Sequence, residues 1–403
     1  MVGVQRISKG VNILSLNCGS SSLKYKLIRM PEEEELISGE VQRLGVKTDK
    51  GSLVVHNSRS GVERIKKYFS THSEAFSEVL KLIIRDKRYK IDIFAHRYVH
   101  PGNIFSDTTK VTITVLKKLE QTLELAPIHN PISFQLVKSC NRSFKNIPQY
   151  LVFDTSFHST IPRHLSQYAL PLKLSNKFGL KKIGFHGISH KYVMEESCKF
   201  LKRPVKTQKI ISVHLGTGGA SVTAIDRGRS INNSMGFTPL EGLVMNTRCG
   251  DMDAGLIFYL MFKDKCSLEK IGSILNRESG ILGLSGKSSD IRDIIEKIDS
   301  DSQAKIVFDI YIRRIKKYIG FYSLLLKKAD ILIFTDLIGV ESALVRKKIV
   351  EGFEFMGLKI KEKENRCYLK GIADISSVGS QTKTLIVPTD EELMIAREVF
   401  KKL

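Results

Sequence analysis

Apolar residues in the first sixty positions come in short runs with a period of two or less. Val11–Leu16 is mainly apolar, with Asn12 and Ser15 set among Val, Ile and Leu; it reaches Asn17, breaks at Cys18-Gly19-Ser20-Ser21 and resumes with alternation over Ser22–Leu27. That pattern predicts a strand, a glycine turn and a second strand. Leu36–Leu44 and Ser52–His56 predict further short strands. At 73–86 the period changes. Phe76, Val79, Leu80 and Ile83 fall at helical spacing behind Thr71 and Ser73, which predicts an amphipathic helix. Ile91–Arg97 and Tyr150–Asp154 predict strands, each closing on a charged residue at its carboxyl end, where open α/β sheets place ligands. Between them Leu125–Pro131 predicts a rigid, proline-bracketed loop.

The second half repeats the opening design. Ile210–His214 is an apolar run, Gly216-Thr217-Gly218-Gly219 is a turn, and Ala220–Ile225 resumes with strand composition. Glycines in such a turn leave backbone N–H groups uncovered for a phosphate oxygen. Two such hairpins predict a duplicated domain. Ile183–His190 predicts a strand, a glycine-hinged turn and a helix starting near Lys191, and 235–251 a glycine-punctuated loop carrying Arg248. Short helices are predicted at 253–266 and 267–277. A long one follows at 304–328, striped by Ile306, Ile310, Tyr311, Ile315, Ile319 and Tyr322. Asp330–Thr335 predicts a buried strand running into Asp336-Leu337-Ile338-Gly339. Leu385–Pro388 predicts a strand entering a helix through a Thr389…Glu392 capping box.

Composition narrows the classes. With 403 residues, 42% hydrophobic and 26% charged, the chain can bury two cores. The longest apolar stretch, Ile319–Leu326, is far short of a membrane span, and the first ten residues lack a signal peptide's apolar core, so a cytoplasmic protein without a membrane partner is expected. Six cysteines lie scattered without a CxxC pair, which argues against zinc or a disulfide framework. The net charge of +22 is spread along the chain and not interleaved with aromatics, which favours anionic small substrates over nucleic acid.

Nine motifs then carry a resemblance: NCGSSSLK at 17–24, HRYVH at 96–100, LAPIHNP at 125–131, FDTSFH at 153–158, GFHGISH at 184–190, HLGTGG at 214–219, MGFTPLEGL at 235–243, TRCGD at 247–251 and PTDEE at 388–392. In their order and number the chain resembles the acetate kinase family, within the superfamily of acetate and sugar kinases, Hsp70 and actin. The resemblance implies an α/β protein of two duplicated ribonuclease H-like domains (the actin-like ATPase fold) with a cleft between them. It places them at 1–159, with 392–403 packing back on it, and at 160–391. It also implies a homodimer and reversible phosphoryl transfer between acetate and acetyl phosphate.

Carried over, Arg97 and Arg248 clamp the carboxylate and the moving phosphoryl group, His186 bonds transition-state oxygens, and Asp154 orients Arg97 or a metal-bound water. Asn17 and Glu391 hold Mg²⁺ or Mn²⁺. Asn17, Ser20, Ser22, Lys24, His214, Gly216, Thr217 and Gly218 cradle phosphates, and Val99, Ile128, Phe185 and Pro239 surround the methyl group. Three single positions and one segment depart from the family's usual pattern. Thr217 stands for Asn, Asn246 for Gly and Pro101 for Gly, and Leu337-Ile338-Gly339-Val340-Glu341, with Asp336 beside it, stands for the Gly-Ile-Gly-Glu-Asn run of the nucleoside loop, variants similar to the family's pyrophosphate-dependent branch. Leucine and aspartate where backbone should approach a ring predict a filled nucleoside site, and pyrophosphate and phosphate in place of ATP and ADP. The alternatives are an ordinary ATP-dependent acetate or propionate kinase, and a non-catalytic binding protein on the same scaffold.

Overall fold

The computed structural model describes residues 10–19, 21–45, 51–127, 129–368 and 370–403. They form two compact units, Met1–Ser156 with Asp390–Leu403, and Phe157–Thr389.

The first unit is built on an eight-stranded sheet. Its strands are β1 (Val11–Cys18), β2 (Ser22–Met30), β3 (Glu34–Gln42), β4 (Ser52–Ser58), β5 (Gly61–Lys67), β6 (Ile93–Tyr98), β7 (Thr109–Lys110) and β8 (Gln149–Phe153), in the order β5-β4-β3-β2-β1-β6-β8-β7. The predicted hairpin is β1–β2, with Asn17 opposite Lys24. β6 runs parallel to β1, and β8 parallel to β6. Alternation sends Leu14, Leu16 and Cys18 into a core with Phe76, Val79, Leu80 and Ile83 of the predicted helix, observed at His72–Arg85 and capped by Thr71. Asn17, between two of them, faces the other way, toward the helix Glu391–Phe400.

That last helix docks on this unit through Met394, Ile395, Ala396 and Val399, all buried, and through a two-point ion pair of Arg397 with Glu33, at 2.6 and 2.8 Å. Its cap differs from the prediction. Asp390, not Thr389, receives the Leu393 N–H at 2.9 Å, while Thr389 Oγ1 is buried without a hydrogen-bond partner among the described residues. The predicted loop at 125–131 runs directly into a helix, Asn130–Ser143, because Pro131 sits in the first turn, where it loses no bond.

The second unit contains β9 (Lys209–Leu215), β10 (Ala220–Asp226), β11 (Arg229–Asn233), β12 (Ile331–Thr335), β13 (Ala373–Asp374) and β14 (Lys383–Ile386), in the order β11-β10-β9-β12-β14-β13. β9 and β10 form the second predicted hairpin, and β12 runs parallel to both β9 and β14. The run β11-β10-β9-β12-β14 repeats β3-β2-β1-β6-β8, so the duplication read from two hairpins extends to five strands per unit. The long helix, Ser302–Leu325, buries Val307, Tyr311, Ile315, Ile319 and Tyr322, while the predicted stripe residue Ile306 is exposed. No helix among the described residues is long and apolar enough to cross a membrane.

Candidate active site

In the first unit, the carboxyl ends of β1, β6 and β8 bring Asn17, Arg97 and Asp154 together. Arg97 meets Asp154 side-on, with Nη2–Oδ2 at 2.9 Å and Nε–Oδ1 at 3.4 Å. Its Nη1 donates to Asn17 Oδ1 at 3.2 Å. The Asn17 amide nitrogen in turn donates to Glu391 Oε2 at 2.8 Å and to Glu392 Oε1 at 2.9 Å. Asp154 is 1% exposed as a side chain and Arg97 13%. Burial alone would lower the Arg97 pKa, but the charges of Asp154 and Glu391 outweigh it and hold the guanidinium above its ordinary value. Burial, and next the neighbouring Glu391 charge, raise the Glu392 carboxyl.

Two expectations change here. Asn17 was expected to bind metal, but its amide oxygen is taken by Arg97. Turning the amide would set that oxygen against two carboxylates, so Asn17 is a bridge between cation and anions. Glu392, read from the sequence as a capping-box residue and not as a site residue, is as close to Asn17 as Glu391 is. Adjacent carboxylates with one raised pKa are a hard-oxygen donor set of the kind Mg²⁺ relieves. Among the described residues, no cluster of three or more His, Cys, Asp or Glu could hold a metal alone. Mg²⁺ commonly binds through one or two carboxylates and substrate phosphates. Of the β1–β2 turn residues, Gly19 donates to the Ser22 carbonyl at 2.9 Å and Lys24 is exposed. Val99 is buried. Ser20 and Ile128 lie outside the described residues. The Cys18 thiol beside Asn17 is pushed up to about 12 by burial and is inert.

In the second unit the site is built around the β9–β10 turn, closed by Gly216 N–H donating to the Gly219 carbonyl at 3.0 Å. A Cβ on Gly219 would lie 3.1 Å from His186 Nε2 and 3.4 Å from Arg248 Nη2; one on Gly216 would lie 2.3 Å from Asp336 Oδ2. The glycines therefore give three functional side chains room against the backbone. Gly218 is exposed and Thr217 half-buried. His186 caps the helix Gly187–Phe200 in the left-handed region, at φ +58°. Gly184 makes the approach possible, since a Cβ there would meet the His158 ring at 2.9 Å. The helix thus starts four residues before the predicted Lys191.

The His186 and His214 rings stack with centroids 4.3 Å apart. His214 Nδ1 meets Ser189 Oγ at 2.9 Å and its Nε2 meets Asp336 Oδ2 at 3.0 Å. Asp336 is also left-handed, at φ +59°. Its neighbour Leu337 is half-buried and donates its N–H to Asp336 Oδ1 at 2.8 Å. Arg346, 1% exposed, braces the end of that segment by donating to the Gly339 and Val340 carbonyls at 3.0 and 2.6 Å.

The loop carrying Arg248 is pinned by Asp251, which accepts from Gly242 N–H at 2.8 Å and Lys317 at 2.7 Å. Among the described residues Arg248 bonds only neutral oxygens, the Pro239 carbonyl from Nη1 and the Gly218 carbonyl from Nη2, both at 2.8 Å. Burial lowers its pKa to about 10, which leaves it charged at neutral pH. A half-buried cation held by carbonyls beside a glycine turn is a seat for an anion. Phe185 is buried and Pro239 half-buried.

Comparison with known proteins decides the family. A family model described as the Acetokinase family matches residues 12–397. The chain belongs to the acetate kinase family. It is 44% identical over 398 residues to the acetate kinase of Alkaliphilus metalliredigens, covering 96% of this chain and 99% of that protein. Among solved structures it is similar to the acetate kinase of Porphyromonas gingivalis, with a TM-score of 0.87 and 37% identity over 97% of this chain and 99% of that one. It is also similar to a propionate kinase of Francisella tularensis, with a TM-score of 0.88 and 35% identity over 96% and 98% of the two chains. As a member of the acetate kinase family it has the actin-like fold of two domains, and it is a phosphotransferase acting on a carboxyl group. Ser189, His190, Ser212 and Ser221, which surround the stacked histidines, were missed in the sequence. Their signal was a buried serine interrupting each apolar strand of the hairpin.

Proposed function

We propose that the chain catalyses reversible, Mg²⁺-dependent phosphoryl transfer between acetyl phosphate and ADP, giving acetate and ATP. The observation that carries this reading is Arg248, a charged guanidinium with only carbonyl partners among the described residues, set against the turn that also receives His186 Nε2. Transfer of a phosphoryl group needs charge stabilisation and alignment more than covalent chemistry. Arg97, aimed by Asp154, and Arg248 bind the carboxylate and phosphoryl oxygens. His186 donates from Nε2 to the equatorial oxygens. The turn at Thr217 and Gly218 would hold the remaining phosphates, with His214 held behind it by Ser189 and Asp336. Glu391, with Glu392 beside it, would hold Mg²⁺, which supplies neutralisation of phosphate charge. Phe185 and Pro239 would contact the methyl group; one more methylene changes such binding by only ~1–3 kcal/mol, so propionate is a weaker substrate and not an excluded one.

One observation favours a second reading, with phosphate and pyrophosphate in place of ADP and ATP. Asp336 puts a carboxylate against the phosphate turn and Leu337 replaces a glycine in the segment expected to meet the nucleoside. The family as a whole supports the nucleotide. The two separate when acetyl phosphate consumption is followed with ADP and with phosphate side by side. A homodimer is also proposed, through the exposed apolar face of Gly255–Lys263, where Phe258 and Phe262 are 71% and 79% exposed.

A further inference from the structure

Behind His186 lies a chain of buried polar groups that the proposed chemistry does not itself use. His186 Nδ1 is 2.9 Å from Ser221 Oγ on β10. Ser221 Oγ is 2.8 Å from His190 Nε2 on the helix Gly187–Phe200, and His190 Nδ1 is 2.8 Å from Ser212 Oγ on β9. Ser212, Ser221 and His190 are each 0% exposed.

The direction of these bonds follows from counting hydrogens. The Ser212 hydroxyl has one hydrogen and a single hydrogen-bond neighbour among the described residues, His190 Nδ1. A buried hydroxyl hydrogen without an acceptor costs on the order of 1–3 kcal/mol, so Ser212 donates and His190 Nδ1 accepts. His190 must then carry its proton on Nε2 and donate it to Ser221 Oγ. The hydrogen of Ser221 is left with one acceptor, His186 Nδ1. The alternatives each leave a buried hydrogen unused. Reversing the chain orphans the Ser212 hydrogen, and letting both imidazoles donate to Ser221 orphans that of Ser221. An imidazolium at His186 fails for the same reason. Burial, and next the neighbouring His214, hold His190 well below its ordinary pKa, which keeps it neutral with one N–H.

We propose that Ser212, His190 and Ser221 are positioning residues that fix His186 as the neutral tautomer protonated on Nε2, the nitrogen turned toward Gly219. His186 then enters any reaction as a hydrogen-bond donor with its orientation and proton already set, which removes reorganisation from the transition state. The kinetic consequence rests on the phosphotransferase reading above; the tautomer does not.

The test uses the full chain labelled with ¹⁵N-histidine. Two-bond ¹H–¹⁵N correlation of the imidazoles separates protonated from unprotonated ring nitrogens, and loss of one spin system in His186→Gln assigns the residue. At neutral pH the proposal expects Nδ1 of His186 unprotonated and Nε2 protonated. In Ser212→Ala, His190 is released and His186 becomes a tautomer mixture. Its kcat is then expected to fall roughly 10-fold to 100-fold, the size seen when outer partners of a working imidazole are lost, with KM for acetyl phosphate unchanged. A wild-type His186 protonated on Nδ1 overturns the proposal, and so does a Ser212→Ala chain whose His186 spectrum is unchanged. The wild-type spectrum reads the tautomer whether or not a variant folds. An inactive chain with the expected spectrum would count against the acetate reaction alone.

Discussion

The Asp336 carboxylate lies 3.0 Å from His214 Nε2 while its own backbone is held at φ +59°. A non-glycine residue in that conformation stores strain of order 1 kcal/mol, and here it also brings a negative charge to the turn proposed to hold phosphates. Asp336→Gly is expected to raise kcat/KM for ADP about tenfold, or ~1.4 kcal/mol, without loss of stability. Asp336→Asn separates charge from shape, and an intermediate gain assigns the remainder to the side chain's bulk. If initial-rate kinetics show no gain for either variant, Asp336 does not oppose the nucleotide.

Arg97 and Asp154 form the most buried ion pair in the first unit's cluster, with Asp154 1% exposed. Truncation to alanine removes the counter-charge of that buried carboxylate and is expected to cost about 3–5 kcal/mol of stability. Arg97→Lys keeps the charge but loses the planar fork, so thermal melts should stay near wild type while kcat falls by about 100-fold or more. An Arg97→Ala chain melting like wild type would show that the pair does not hold this part of the fold.

Glu392 gives a pH dependence with a definite sign. Its carboxyl is raised in the folded chain, by burial first and Glu391 second, so the native state binds a proton more tightly than the unfolded state does. Stability from this group is therefore full below the unfolded carboxylate pKa and declines as pH rises through the raised folded value. Glu392→Gln keeps an oxygen for Asn17 and removes the charge. Its melting temperature should exceed wild type at pH 8 by about 2–4 °C per kcal/mol recovered, and the gain should vanish near pH 4. A gain that persists undiminished in acid would rule out the charge as its source.

The helix Gly255–Lys263 leaves Leu256, Phe258, Tyr259 and Phe262 in solvent, with Leu268 close behind in sequence. An apolar patch of this kind on a chain of net charge +22 needs cover. Light scattering coupled to gel filtration is expected to give a dimer for the wild-type chain and a monomer for Phe258→Glu with Phe262→Glu. A monomeric wild type at micromolar concentration would remove the dimer from the account.

Most of the fold was written in hydrophobic periodicity. The two glycine-broken apolar runs predicted both central hairpins, and spacing behind Thr71 and Ser73 predicted the helix. Other parts escaped for physical reasons. β5 is an exposed strand of mixed charges, with no buried face to impose alternation. Pro131 reads as a loop residue unless it is recognised as the opening of a helix. Asp390 and Thr389 are both able to cap, and only the backbone path chooses between them. Contacts across long separations were invisible. His214 meets Asp336 because β12 runs parallel to β9 and sets Thr335 opposite His214. The serine–histidine chain needed three elements to be assembled before its bonds could be counted.

The central claim is transfer of a phosphoryl group from acetyl phosphate to ADP, and ³¹P NMR reads it directly. The purified chain is mixed with acetyl phosphate and Mg²⁺ and divided between ADP and inorganic phosphate. The account predicts that acetyl phosphate disappears with ADP as ATP resonances grow, faster than any loss in the phosphate sample. Acetyl phosphate that survives ADP but yields pyrophosphate with phosphate would contradict the nucleotide assignment; survival in both samples would contradict the reaction itself.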